Sequence, residues 1–135
     1  MVRYPHQTLT REIINAFYKV YNALGQGFLE KVYENALALE LRRRGLDVRQ
    51  QQPLTVFYLG EPVGHYVADI IVEQRVILEI KAAETIIEAH EAQLLNYLRA
   101  TEIEVGLILN FGPKPQVKRK IYQTSRHRRP SSHSS

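Results

Sequence analysis

The chain has 135 residues and a net charge of +4. That is enough for one domain with a real core, and no apolar run approaches the ~20 residues of a membrane span. Cysteine is absent, which excludes disulfides, thiolate zinc sites and iron–sulfur clusters. With an N-terminal stretch that lacks the apolar core of a signal peptide, this fits a reducing cytoplasm.

Residues 8–24 place Leu9, Ile13, Ala16, Phe17, Val20 and Leu24 at helical spacing, and Gly25-Gln26-Gly27 ends the run. A second helix is expected over residues 28–44, closed by Gly45. Residues 48–59 are rich in strand formers, and Leu59-Gly60-Glu61-Pro62 is a turn. Two more strands follow over 63–72 and 76–82, paired as a hairpin. Residues 88–101 predict a third helix. The apolar stretch Val105–Phe111 predicts an interior strand, and 117–122 a short edge strand whose lysines discourage edge pairing. The order ααβββαβ(β) predicts an α/β sandwich with a mixed sheet. Residues 124–135 hold no large apolar residue and read as a basic, disordered tail, leaving 1–123 as the domain.

Charge sits where apolar residues are expected. Asp69, Glu79 and Lys81 lie inside or at the end of the two hairpin strands. Strand alternation puts Ile77, Glu79 and Lys81 on one face and Leu78 and Ile80 on the other, and on the preceding strand groups Val67, Asp69 and Ile71. A loop of odd length centred on Gln74 sets Asp69 directly opposite Glu79. A two-residue turn puts them on opposite faces. Facing carboxylates are relieved by a shared proton, a lysine or a metal, and Mg²⁺ suits one or two carboxylates with waters and phosphate oxygens. A structural salt bridge is the plainer alternative.

Other polar residues lie on apolar stripes. Glu30 heads a stripe continued by Tyr33, Leu37 and Leu41, so an inward acid is expected there. Gln93 and Tyr97 lie at i and i+4, with His90 one turn earlier on the same face. Lys114, Lys118, Arg119 and Lys120 have no acid between them and form a candidate phosphate contact, with a solvated edge strand as the alternative. Arg42, Arg43 and Arg44 read as a solvated helix end favoured by the C-terminal dipole. His65 and His90 read as structural.

Gly27-x-x-Glu30-x-x-Tyr33, followed by YVADIIV, LEIKA, HEAQLLNYL and VGLILNFG, resembles the GxxExxY proteins of the PD-(D/E)XK nuclease superfamily. The resemblance implies a restriction-endonuclease-like core and hydrolysis of phosphodiester bonds, foremost in DNA, with Mg²⁺ or Mn²⁺. It makes Asp69 and Glu79 the metal carboxylates, with the Ile80 carbonyl as a further ligand and Glu30 as the helical acid that supports the site. Lys81 becomes the water-handling lysine, and Gln93 and Tyr97 the Q-x-x-x-Y pair of the RecB-like branch. Ala68 stands where the superfamily name has proline. Two other readings share the fold: a noncatalytic nucleic-acid-binding or assembly module, and a homodimeric junction resolvase. No membrane partner is expected.

Overall fold

The computed structural model describes residues 5–123; the segment 124–135, expected to be a disordered tail, lies outside them. Three helices and five strands follow in the order α1 (Gln7–Leu24), α2 (Glu30–Arg43), β1 (Val48–Tyr58), β2 (Glu61–Val72), β3 (Val76–Lys81), α3 (Glu88–Arg99), β4 (Val105–Phe111) and β5 (Pro115–Ile121). The strands form one sheet in sequence order. β3 and β4 run parallel, joined through α3, and every other neighbouring pair is antiparallel.

Two apolar layers sandwich this sheet. Ile13, Phe17 and Val20 of α1 pack with Tyr33, Leu37 and Leu41 of α2 against Ile70, Leu78, Ile80, Leu107 and Leu109 on one face. On the other face, Leu94, Tyr97 and Leu98 of α3 cover Leu54, Ala68, Ile71, Ile77 and Ile108. Covered on both sides, β4 is buried along its whole length, as an apolar interior strand must be. Gly106 lets α3 come close: a Cβ there would sit 2.7 Å from Leu94 Cδ1.

Local chemistry sets the helix ends. Gly45 takes the left-handed conformation at φ 84°. Its N–H bonds to the Arg42 carbonyl and that of Leu46 to the Leu41 carbonyl, the paired bonds of a Schellman motif. The arginines there are not simply solvated, since Arg42 donates to Val48 O and Gln50 Oε1 and Arg44 to Glu40. Between α1 and α2, fully buried Tyr33 stacks on Phe111 with ring centroids 4.4 Å apart. Its hydroxyl donates to Gly25 O and accepts from the Phe28 N–H at 3.1 Å. The tyrosine of the Gly-x-x-Glu-x-x-Tyr stretch therefore ties down the glycine turn before α2. Tyr33→Phe should cost about 1–2 kcal/mol, read as a lower urea midpoint with an unchanged m-value.

The β2–β3 loop holds three residues, with Glu73 and Gln74 both at positive φ. Ile70 pairs with Leu78, Ile71 with Ile77 and Val72 with Val76. Of the two registers open from sequence, this is the odd-loop one.

Simple alternation along β2 is corrected by the structure. Beyond Asp69 the residue facing α3 is Ile71, but before it they are Tyr66 and Ala68, while Val67 is exposed. β1 switches at the same level. Val48 and Gln50 face α2, whereas Leu54 faces α3. The cause lies at Gln51, opposite Asp69, where the backbone takes φ 53°, a conformation an extended strand does not use. The hairpin thus swaps faces at the point that carries the aspartate.

Candidate active site

Past the Ile70–Leu78 pair, β2 and β3 are joined through side chains. The Ile80 N–H donates to Asp69 Oδ2 at 2.8 Å, and the Asp69 N–H donates to Glu79 Oε2 at 3.1 Å. Each strand thereby fixes the carboxylate of the other. Each acid spends one oxygen on a backbone N–H and keeps the second, so two carboxylates are held side by side with rotamers already set. Ile80 anchors the arrangement, its side chain buried in the core beneath α1 and α2.

This placement strains the charges. Glu79 is buried. Burial, and then the negative charge of Asp69, push its carboxyl up to about 8. Asp69 is also raised, mainly by burial, with Glu34 and Glu30 adding repulsion. Lys81, the last residue of β3, is half-buried and lowers both. Its ammonium makes no hydrogen bond or ion pair with another described residue, so it is not consumed as a structural counter-ion.

α2 contributes differently from expectation. Glu30 is exposed; as the first residue of α2 it sits at the open end of the helix, where a negative charge favours the dipole. The inward acid is Glu34, one turn on and 4% exposed. It accepts from Gln50 Nε2 at 2.8 Å, Gln51 Nε2 at 3.0 Å and Lys31 Nζ at 3.3 Å. Reading the sequence missed Glu34. Its signal was the i+4 spacing from Glu30, which puts both acids on one face, together with the glutamine run at residues 50–52 that meets it.

α3 lines the other side. Tyr97 is buried and its ring lies tilted 5.2 Å from that of Tyr66. Burial, then the charges of Glu79 and Asp69, push its phenol up to about 12, so it stays a neutral hydrogen-bond donor. His90 Nδ1 accepts the Ile87 N–H at 3.2 Å and caps the helix, the structural role expected for it. Burial and nearby Lys81 lower its pKa. Gln93, one turn from each, is half-buried.

The basic stretch of β5 does not form one free stripe. Lys120 and Lys118 reach Glu91 of α3 at 2.6 and 3.9 Å. Arg119 points to the opposite face and donates to Thr10 at 2.9 Å. The acid absent between these residues in sequence is brought across by the fold. Lys114 stays exposed in the β4–β5 turn.

Among the described residues no three His, Cys, Asp or Glu side chains gather closely enough to enclose a metal ion. What the site offers is an open pair of hard oxygen donors, with one oxygen of each unbonded among the described residues and their mutual repulsion only partly offset by Lys81 and the two backbone N–H groups. That donor set fits a divalent ion that keeps waters and takes its remaining ligands from a phosphate.

A family model described as the PD-(D/E)XK nuclease superfamily matches residues 7–121. The fold is similar to the crystal structure of SSO0001, with a TM-score of 0.56 and 17% identity over 71% of this chain and 51% of that one. The chain therefore spans about half the length of that structure, and at this identity the likeness concerns the fold, which is the restriction-endonuclease-like α/β arrangement expected. No curated protein matches the sequence. Among the described residues no helix is long and apolar enough to cross a membrane.

Proposed function

The chain belongs to the PD-(D/E)XK nuclease superfamily, and we propose that it is a divalent-metal-dependent nuclease that hydrolyses phosphodiester bonds in DNA. The observation that carries this reading is the crossed pair of strand-held carboxylates, Asp69 of β2 and Glu79 of β3, with Lys81 two residues beyond Glu79 and without a hydrogen bond or ion pair among the described residues. The run from Gly27 to Tyr33 and the Gln93/Tyr97 pair support placing it with the GxxExxY proteins of the RecB-like branch.

In this mechanism Asp69 and Glu79 would hold Mg²⁺ or Mn²⁺, with the Ile80 main-chain oxygen as a further ligand. When bound, the ion supplies Lewis-acid activation of the phosphoryl group and lowers the pKa of water. Lys81 orients the attacking water and stabilises the charge that develops on the phosphoryl oxygens. Tyr97, neutral across the working pH range, donates a hydrogen bond to the backbone of the nucleic acid or to the site. Gln93 orients the lysine or the strand. Glu34 and Glu30 add negative potential that favours the cation, Glu34 from a fixed, fully bonded position. Lys114, exposed beside the end of β4, is the residue of the basic stretch best placed for a phosphate, with Lys118, Arg119 and Lys120 contributing at most what remains after their internal contacts.

Purified protein should cut at least one of linear, circular, single-stranded or branched DNA in Mg²⁺ or Mn²⁺, with RNA tested alongside, and Asp69→Ala should reduce cutting to background. A noncatalytic nucleic-acid-binding or assembly module that keeps the nuclease fold is the second reading. That second reading wins if millimolar Mg²⁺ and Mn²⁺ produce no saturable binding by calorimetry and no substrate is cut.

A further inference from the structure

Just beyond Lys81 the chain leaves the sheet, and one buried amide catches it. The last β3–β4 pair joins Lys81 to Asn110. Neighbours in a parallel pair point to the same face, so Asn110 lies beside Lys81 on the α3 side. It is fully buried in an otherwise apolar strand. Asn110 Oδ1 accepts the Ala83 N–H at 2.9 Å, and its Nδ2 donates to the Ala83 carbonyl at 3.0 Å. A planar amide is the side chain that offers donor and acceptor together as a peptide does, so Asn110 continues the ladder where the backbone cannot.

The clamp is braced on both sides. The second Nδ2 proton goes to Gln116 Oε1 at 3.0 Å, and that oxygen also accepts the Ile86 N–H at 3.1 Å. Gln116 Nε2 donates to Thr85 Oγ1 at 3.2 Å. Opposite Ala83 stands Gly112, where a Cβ would lie 1.9 Å from the Ala83 oxygen. The Gly112 and Pro113 carbonyls are in turn held by the Tyr21 hydroxyl, each at 2.9 Å. The segment between Lys81 and α3 is thus pinned two residues past the lysine, although nothing in that segment belongs to a helix or strand.

Resting on the nuclease reading, we propose that Asn110 is a positioning residue for Lys81: by gripping the Ala83 peptide, with Gly112 leaving room for it, Asn110 sets where the lysine ammonium stands relative to Asp69 and Glu79. A merely structural asparagine would stabilise the fold and no more. A positioning residue changes the chemical step while binding stays intact, and a displacement of about 1 Å at a reacting group costs about 10²-fold in rate.

Asn110→Ala is the test, with three readouts. The Ala83 amide should exchange with solvent at least about tenfold faster. The Lys81 ¹³Cε resonance should move. Under Mg²⁺, kcat should fall by about 10²-fold, with KM and Mg²⁺ affinity within about twofold of wild type. Gly112→Ala, which keeps the Asn110 side chain but displaces the Ala83 oxygen and crowds Asn110 Nδ2, should reproduce the kcat loss and serves if Asn110→Ala does not fold. Thr85→Ala, which removes one exposed outer bond, should leave kcat unchanged. The positioning role is overturned if the Lys81 resonance stays in place and kcat falls no further than the folded fraction does. If wild-type protein cuts nothing, the nuclease reading fails, while the exchange rate and the Lys81 resonance still show whether Asn110 places the lysine.

Discussion

Lys81→Ala should lower the single-turnover cleavage rate by about 10³-fold or more, the larger of the two strongest effects expected, while metal still binds. Lys81 ends β3 on the face that carries Glu79; its charge lowers both carboxyls, yet its ammonium makes no hydrogen bond or ion pair among the described residues. Removing it takes away the cation that meets charge developing on phosphorus, but leaves both carboxylates on their backbone donors. Titrated by calorimetry, Mg²⁺ affinity should stay within about tenfold, because the lost lysine also removes a competing positive charge. Circular dichroism and thermal unfolding should match wild type closely. Retention of more than a tenth of the wild-type rate would remove Lys81 from the chemistry.

The second large effect concerns stability without metal. Glu79 holds its proton to about 8 in the folded protein, against about 4.3 for an unperturbed glutamate. Between these values the folded chain binds a proton that the unfolded chain has released. Stability is therefore fully present below the unfolded pKa and declines as pH rises toward 8. Asp69 is shifted the same way and adds to the slope. In chelator, the protein should lose on the order of 3 kcal/mol from this site between pH 5 and pH 8.5. Glu79→Gln keeps an oxygen for the Asp69 N–H but no ionisable group. It should match wild type at pH 5 and exceed it at pH 8.5, while being inactive. Mg²⁺ should restore wild-type stability at the higher pH and do far less for the variant. Urea titrations at the two pH values decide the matter: parallel losses in wild type and Glu79→Gln would show that the carboxylate pair carries no such strain.

The fold was largely legible because periodicity reports burial. The amphipathic stripes of α1 and α2, the unbroken apolar run of β4 and the glycine after Arg44 each state a local requirement, and each is met where expected. The odd three-residue loop could be posed from sequence but not chosen, since Glu73 and Gln74 give no glycine to announce their positive φ. Glu30 and Glu34 share a helix face, and what separates an exposed acid from a buried one is which of them the glutamines of β1 reach. That is a tertiary fact. Glu91, likewise, meets Lys118 and Lys120 only once α3 is laid beside β5. Asn110 lay unremarked within VGLILNF, where a lone amide in an apolar strand states that it must be satisfied but not by whom.

The face swap at Gln51 and Asp69 divides the β1–β2 hairpin into two mechanical parts with different tolerances. On the sheet side, where β2 continues through the three-residue loop into β3, the span from Asp69 to Glu79 works as a gauge block: adding or removing one residue would turn one acid away from the other, so its length is as constrained as the acids themselves. On the far side, the arm from Gln52 to Val67 packs on α3 through residues such as Leu54 and Tyr66 and ends in an exposed turn at Leu59 and Gly60. Its length sets only how far it reaches. Insertions, labels or fused peptides belong at that tip, where the arm can be lengthened without disturbing the ruler on which the chemistry is measured.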